Sequence, residues 1–358
     1  MAISKTNNFD LIRLFAALQV LITHTMEHMQ FQSSSLKLLA NILSYVPGVP
    51  IFFTVSGFLI YASYDRNSDL KRYFRSRFLR IYPALWACLI FTIILLVYFG
   101  FINVHNVFSK PFIAWIATQV TFFQVYTPDM FRAFGVRSPN GSLWTIPIEI
   151  SFYVLIPIIF YLVRTSKVGR TTFLVVLAIL SFAYNYWFGM RYEQNGDNQT
   201  MLIKIMSLNL LPYLFYFLLG SIAYENWHHI KKYYESKGFI WLVIYMVYCL
   251  VFSIWLHKFR PNYWLNFYGL VSVIILSQTI LALAYSAKGL SKTILNGNDI
   301  SYGVYLYHMP IVNVFVQLGY RGYTLVLLWV FLLTILLAFL SWRFIEKPML
   351  NLKKQPLK

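Results

Sequence analysis

Charge is scarce in this sequence. Only 12% of its 358 residues are Asp, Glu, Lys or Arg, about half the share of a soluble globular domain. Acids are the scarcer kind: 12 Asp and Glu against 30 Lys and Arg, for a net charge of +18. Cysteine is nearly absent. Cys88 and Cys249 lie in separate hydrophobic segments, which excludes a disulfide framework and reads as two small core hydrophobes. No glycine-rich phosphate loop, HExxH pair or GxSxG elbow occurs, so the common soluble nucleotide, zinc-protease and serine-hydrolase signatures are missing. His228-His229 has no partner ligands at metal spacing, and no metal site is expected. The first apolar segment has no short hydrophobic region followed by a small-residue cleavage site, so it is expected to stay as an anchor. No internal repeat or low-complexity tract is present.

Hydrophobic residues are what the chain has in abundance, at 59%, with 19% aromatic. Runs of about 20 apolar residues mark membrane-crossing helices. Ten are expected, near 9–29, 47–64, 80–101, 143–163, 171–190, 205–225, 239–256, 264–285, 299–319 and 323–345. The shorter stretch Pro111 to Tyr126 suits a re-entrant or interfacial segment. The fold class is therefore all-α, a polytopic membrane protein. The basic residues set its orientation. With the N-terminus inside, the outer loops hold only Lys37, Lys110, Arg132, Arg137, Arg191, Lys204, Lys258, Arg260 and Arg321. Most other cations then face the cytoplasm, which places both termini there. The positive charge is thus a topology signal, and no nucleic-acid partner is expected. A single membrane-embedded domain over 1–358, without an appended soluble domain, is expected, with membrane lipids as its surroundings.

Within the first span, Asp10, Arg13, His24, Glu27 and His28 interrupt an apolar helix. Arg13 and His24 are separated by about 16 Å of helical rise and lie within about 20° of one face. Ionisable residues on one stripe of a membrane helix face a bundle interior or cavity and mark function; the bland alternative is an arginine that snorkels and a satisfied histidine. The loop Lys71-Arg72-Tyr73-Phe74-Arg75-Ser76-Arg77-Phe78-Leu79-Arg80 packs five cations into ten residues. Anionic lipid explains part of that. Arginine forks also match phosphate oxygens, so Arg77, Arg80 and Arg13 are candidates to hold a phosphate-rich cofactor at the inner face. Ser56-Gly57 offers a hydroxyl and a close-approach glycine, for helix packing or for a ligand. Gly141-Ser142-Leu143-Trp144 opens the span that carries Glu149, which lies at a depth similar to His24 and is a candidate to orient it; the alternative is a structural partner for an arginine or backbone group. Late in the chain Ser301-Tyr302-Gly303-Val304-Tyr305-Leu306-Tyr307-His308 places Tyr302, Tyr305 and His308 where they line a cavity or pack with a polar handle. The long outer loop from about 102 to 142 is placed to roof a substrate site. Outer aromatics such as Trp115, Tyr126, Trp144, Tyr192 and Trp264 suit sugar stacking as well as an interfacial belt.

Taken together, these motifs resemble the acyltransferase-3 family of integral membrane acyltransferases. The matching pieces are Arg13 with ten residues to His24, Phe53 to Leu59, Arg77-Phe78-Leu79-Arg80-Ile81-Tyr82-Pro83, Ser142-Leu143-Trp144 through Glu149, Ile300 to His308, and Glu346-Lys347-Pro348. They cover nearly the whole chain. One departure is Phe9-Asp10-Leu11-Ile12-Arg13, which lacks the glycine usual before the arginine. The resemblance implies transfer of an acyl group, commonly acetyl, from cytoplasmic acetyl-CoA or another acyl-CoA to a hydroxyl of a cell-surface or lipid-linked glycan, in the bacterial inner membrane.

On that reading Arg13, Arg77 and Arg80 hold CoA phosphates, and the pantetheine arm passes Ser56 and Gly57. His24 is the general base or a transient acyl carrier, oriented by Glu149. Asp10, Ser142, Trp144, Tyr302, Tyr305 and His308 are candidates for acceptor binding or oxyanion stabilisation. Two rivals stand beside it. A proton-coupled transporter also uses intramembrane charge, and a different membrane-bound O-acyltransferase class would place its catalytic histidine late, at His308.

Overall fold

The computed structural model describes residues 7–163, 167–195, 203 and 206–354. All regular structure among them is helical. The main helices are α1 (Phe9–Met29), α2 (Ser34–Ser44), α3 (Gly48–Arg66), α4 (Leu70–Tyr98), α5 (Lys110–Val120), α6 (Thr145–Leu162), α7 (Lys167–Asn195), α8 (Leu214–Glu225), α9 (Gly238–Cys249), α10 (Phe267–Ala284), α11 (Ser301–Gln317) and α12 (Leu325–Ser341). Eight helical stretches among the described residues are long and apolar enough to cross a membrane, matching eight of the expected spans. The protein is polytopic.

The other two expected spans form shorter helices, each for a local reason. For 205–225, the Asn209 side chain accepts from Leu211 N–H at 2.8 Å and donates to the Met206 carbonyl at 2.6 Å. This Asx turn, followed by Pro212, delays the helix to Leu214; part of the expected span also lies outside the described residues. α11 has 17 residues, which rise about 26 Å against an apolar slab of about 30 Å. The expected re-entrant stretch is α5, started by Ser109, whose Oγ accepts from Phe112 N–H, with Pro111 in the first turn. Its Trp115 is buried in an apolar cluster with Leu89, Leu96, Ile102, Phe131 and Phe134.

The chain divides into two compact units. One comprises Met1–Ala16, Ser44–Leu70 and Ile148–Gly297; the other comprises Ala17–Leu43, Lys71–Pro147 and Asn298–Lys358. In the first, α3 and α8 cross with no side chain between their backbones. A Cβ at Gly57 would overlap the Phe217 carbonyl, and one at Gly220 would overlap the Thr54 carbonyl. Ser221 Oγ donates across the crossing to Gly57 O at 3.2 Å, and Phe53 stacks on Phe217 with centroids 4.4 Å apart. Small residues allow such close approach in membrane helices. Overpacking a fitted contact costs about 1–3 kcal/mol. Gly220→Val is therefore expected to lower the melting temperature of the purified protein in detergent by several degrees. Gly141→Ala, whose Cβ would meet only contacts of 3.9 Å or more, is expected to leave it in place.

A buried ion pair closes the same unit: Arg170 reaches Glu225 at 3.0 Å, and Tyr61 OH donates to the other Glu225 oxygen at 2.8 Å. In the second unit, Gly303 lets α11 lie against α12, because a Cβ there would come 2.8 Å from Ala338 Cα.

Candidate active site

Proline 310 organises the second unit's polar centre. It lies inside α11 and has no N–H, so the carbonyl four residues earlier, at Leu306, loses its helical donor. Asn140 Nδ2 supplies a replacement at 2.9 Å, and Cys88 Sγ adds a weak bond at 3.3 Å. The loop bearing Asn140 is pinned again by Asn313. Its Nδ2 donates to the Ser138 and Pro139 carbonyls at 2.8 and 2.9 Å, and its Oδ1 accepts from Val136 N–H at 2.8 Å. Ser138-Pro139-Asn140-Gly141-Ser142 is thereby fixed to the turn of α11 that carries His308.

His308 is fully buried. Its Nδ1 is 3.3 Å from Val304 O, and its Nε2 is 3.0 Å from His24 Nδ1. The two ring centroids are 5.3 Å apart, with planes 29° from parallel. A nitrogen–nitrogen approach of 3.0 Å at that centroid separation is an edge-on meeting, the geometry of an N–H···N hydrogen bond and not of a face-to-face stack. The tautomers follow from the one partner that cannot donate. Val304 O accepts, so His308 Nδ1 carries the hydrogen and Nε2 keeps its lone pair. His24 Nδ1–H then donates to that lone pair, which leaves the second lone pair of the pair on His24 Nε2. His28 follows one turn along α1, its ring centroid 6.0 Å from that of His24.

The hydroxyls nearby have their hydrogens committed. Tyr305 OH donates to Ser142 O at 2.6 Å and is 2.7 Å from Thr145 Oγ1. Ser142 Oγ donates to Asn140 Oδ1 at 2.8 Å, and Tyr302 OH donates to Ile81 O at 3.1 Å. A hydroxyl has one hydrogen to give. In this arrangement Tyr302, Tyr305 and Ser142 hold backbone and side chains together. Trp144 is half-buried at the end of the turn Gly141–Trp144 that leads into α6.

The basic candidates differ from one another. Arg80 Nη2 pairs with Asp299 Oδ2 at 2.5 Å, with only 14% and 9% of the two side chains exposed. Asp299 also accepts from Ser301 N–H and Oγ, holding the start of α11. Arg77 lies over the Tyr73 ring, 5.7 Å from its centroid, and donates to Ser76 Oγ at 3.1 Å. In the first unit Arg13 is 3.9 Å from Asp10, an i,i+3 pair on α1. Glu149 accepts from Ser56 Oγ at 3.0 Å and from Tyr153 OH at 2.6 Å. Gly57, expected to admit a cofactor, spends its missing side chain on the contact with Phe217. Among the described residues no three His, Cys, Asp or Glu side chains converge as metal ligands.

A protein-family model described as an acyltransferase domain matches residues 6–343. The chain belongs to the acyltransferase-3 family. The resemblance carried by its motifs is thereby borne out. Among its relatives are nodulation protein 10 of Rhizobium leguminosarum bv. viciae, 29% identical over 97% of this chain and 94% of the relative. An O-acetyl transferase of Shigella phage Sf6 is 26% identical over 97% of each chain. The peptidoglycan O-acetyltransferase OatA of Listeria monocytogenes is 26% identical over 84% of this chain and 50% of its own length. No solved structure matches. The protein is a multi-pass membrane acyltransferase of the O-acetyltransferase kind.

The sequence marks His24 and His308 separately, in rival mechanisms; the structure joins them. The signal was Pro310, which requires an outside donor for Leu306 O and so marks that turn of α11 as a docking point.

Proposed function

We propose that the protein transfers an acetyl group from acetyl-CoA to a hydroxyl of a cell-surface or lipid-linked glycan at the bacterial plasma membrane, with His24 as general base. The observation that carries this reading is the hydrogen-bond chain from Val304 O through His308 to His24, which leaves a basic lone pair on His24 Nε2. An acceptor hydroxyl gives its proton to Nε2 as its oxygen bonds to the thioester carbonyl carbon. The carbon–sulfur bond then breaks, and the imidazolium returns the proton to the departing CoA thiolate. His308 acts through His24: it fixes the tautomer and stabilises the imidazolium, the task that a carboxylate performs in hydrolase triads. Relatives named as O-acetyltransferases, one of them for peptidoglycan, support a glycan hydroxyl as acceptor.

Arg13 and Arg77 are the arginines we assign to CoA phosphates. Arg80 is held by Asp299 and serves chiefly to anchor α4 to the start of α11. Glu149, held by Ser56 and Tyr153, is assigned to the acceptor side.

The test is a pair of substitutions at His308. Glutamine keeps an acceptor for His24 Nδ1–H, and alanine does not. His308→Ala is expected to lower kcat about a hundredfold, within the range for a group that positions a general base, with KM for acetyl-CoA little changed. His308→Gln is expected to recover most of that loss and to restore the acid limb of the pH–rate profile. Two folded variants with equal rates and equal profiles would remove His308 from the mechanism.

A further inference from the structure

The first unit carries a second place built for recognition. A cavity of about 400 Å³ lies between the last turns of α7 and the segment that leads into α10, within the size range of small-molecule sites, about 300–1,000 Å³. Its walls combine Tyr186, Phe259 and Trp264 with Glu193, Arg260 and Asn262. Both helices that border it are apolar spans, so it opens where a membrane helix ends. On the topology expected from the basic residues these loops are outer ones.

Much of the wall is preformed. Gly189 admits the indole of Trp264 against α7, since a Cβ there would come 2.7 Å from Trp264 Cβ. Phe188 and Tyr192 pack on the indole, with centroids 5.1 and 5.2 Å away. The backbone around it is locked by Asn185, fully buried, which donates to Tyr263 O at 2.8 Å and accepts from Leu265 N–H at 3.0 Å. By contrast, the rim groups are exposed: Tyr186 shows 43% of its surface, and Asn262 Nδ2 is 3.4 Å from one Glu193 oxygen.

We infer that this cavity is a saccharide-binding subsite for the glycan acceptor, an inference that rests on the glycan reading above. A sugar ring presents apolar C–H faces and a rim of hydroxyls. Fixed aromatic rings match the faces, and a carboxylate, an amide and a guanidinium at the rim match the hydroxyls. A phospholipid fits worse. Arg260 would attract its phosphate, but the Glu193 carboxylate would repel it, and its chains would find two amides and two charges along the wall.

The experiment uses the full-length protein in nanodiscs and oligosaccharides released from the source cell's surface polysaccharide and stripped of O-acetyl groups by mild alkali. Binding is read by saturation-transfer NMR, which needs no turnover. Tyr186→Ala and Glu193→Ala, both at exposed positions outside the aromatic cluster, are expected to weaken binding about tenfold each, the loss of one good contact. His24→Ala is expected to bind as the wild type does. Wild-type binding in both rim variants overturns the subsite, as does native mass spectrometry showing a phospholipid retained by the wild type and lost from the variants. Binding that depends on the rim, in a protein that transfers no acetyl group, would leave the subsite standing and remove the catalytic reading instead.

Discussion

His24→Ala is expected to remove nearly all O-acetylation in cells, with kcat lowered about 10³–10⁴-fold, the upper part of the range for a general base. The variant is expected to reach the membrane at wild-type levels. His24 is half-buried and its side chain hydrogen-bonds to His308, so the truncation removes no packing comparable to a core aromatic. His308 keeps its own bond to Val304 O and loses only a donor to a lone pair. The check is the alkali-labile acetate on surface polysaccharide from cells carrying either form, normalised to protein in the membrane fraction. Comparison with His308→Ala separates the two histidine mechanisms. If the late histidine were the base, His308→Ala would be the dead enzyme and His24→Ala the impaired one. The dyad predicts the reverse order.

The second large effect falls on stability. Arg80→Ala is expected to destabilise the protein by about 3–5 kcal/mol, because it leaves the buried Asp299 carboxylate without its cation. Asp299 also holds the first turn of α11 through Ser301, so the loss should spread to the His308 turn. Making both partners neutral while keeping the acceptor for Ser301, Arg80→Met with Asp299→Asn, is expected to recover part of the stability, since the Asp299 charge is then not stranded and the amide oxygen still accepts from Ser301. Melting in detergent and yield from membranes report both variants. If Arg80 were chiefly a phosphate ligand, Arg80→Ala would melt near the wild type and raise KM for acetyl-CoA, and the double variant would recover nothing.

The membrane helices were legible because span length and apolar content are local properties. The two that came out short turned on particular residues: Asn209 and Pro212 before α8, and a 17-residue limit on α11. Arg13 and His24 were legible because eleven residues of helix fix their face and separation. The partnerships were not. His24 meets His308 across 284 residues of sequence, and Arg80 meets Asp299 across 219; no periodicity carries such contacts. Depth counted along a helix makes Glu149 a candidate partner for His24 but leaves azimuth open; what the sequence did not show is that one Glu149 oxygen accepts from both Ser56 and Tyr153. The partners of the α11 tyrosines were hidden for a related reason. A hydroxyl's single hydrogen goes to whichever acceptor the fold places nearest, here backbone carbonyls of Ser142 and Ile81.

The central claim is acetyl transfer from acetyl-CoA to a glycan hydroxyl through His24. It is tested most directly with the purified protein in liposomes, acetyl-CoA labelled in its acetyl group, and de-O-acetylated surface polysaccharide. The wild type is predicted to place label on the polysaccharide as an alkali-labile ester, and His24→Ala to place none above the protein-free background. Equal labelling by a folded His24→Ala variant, or label that stays with CoA in the presence of active wild type, would contradict it.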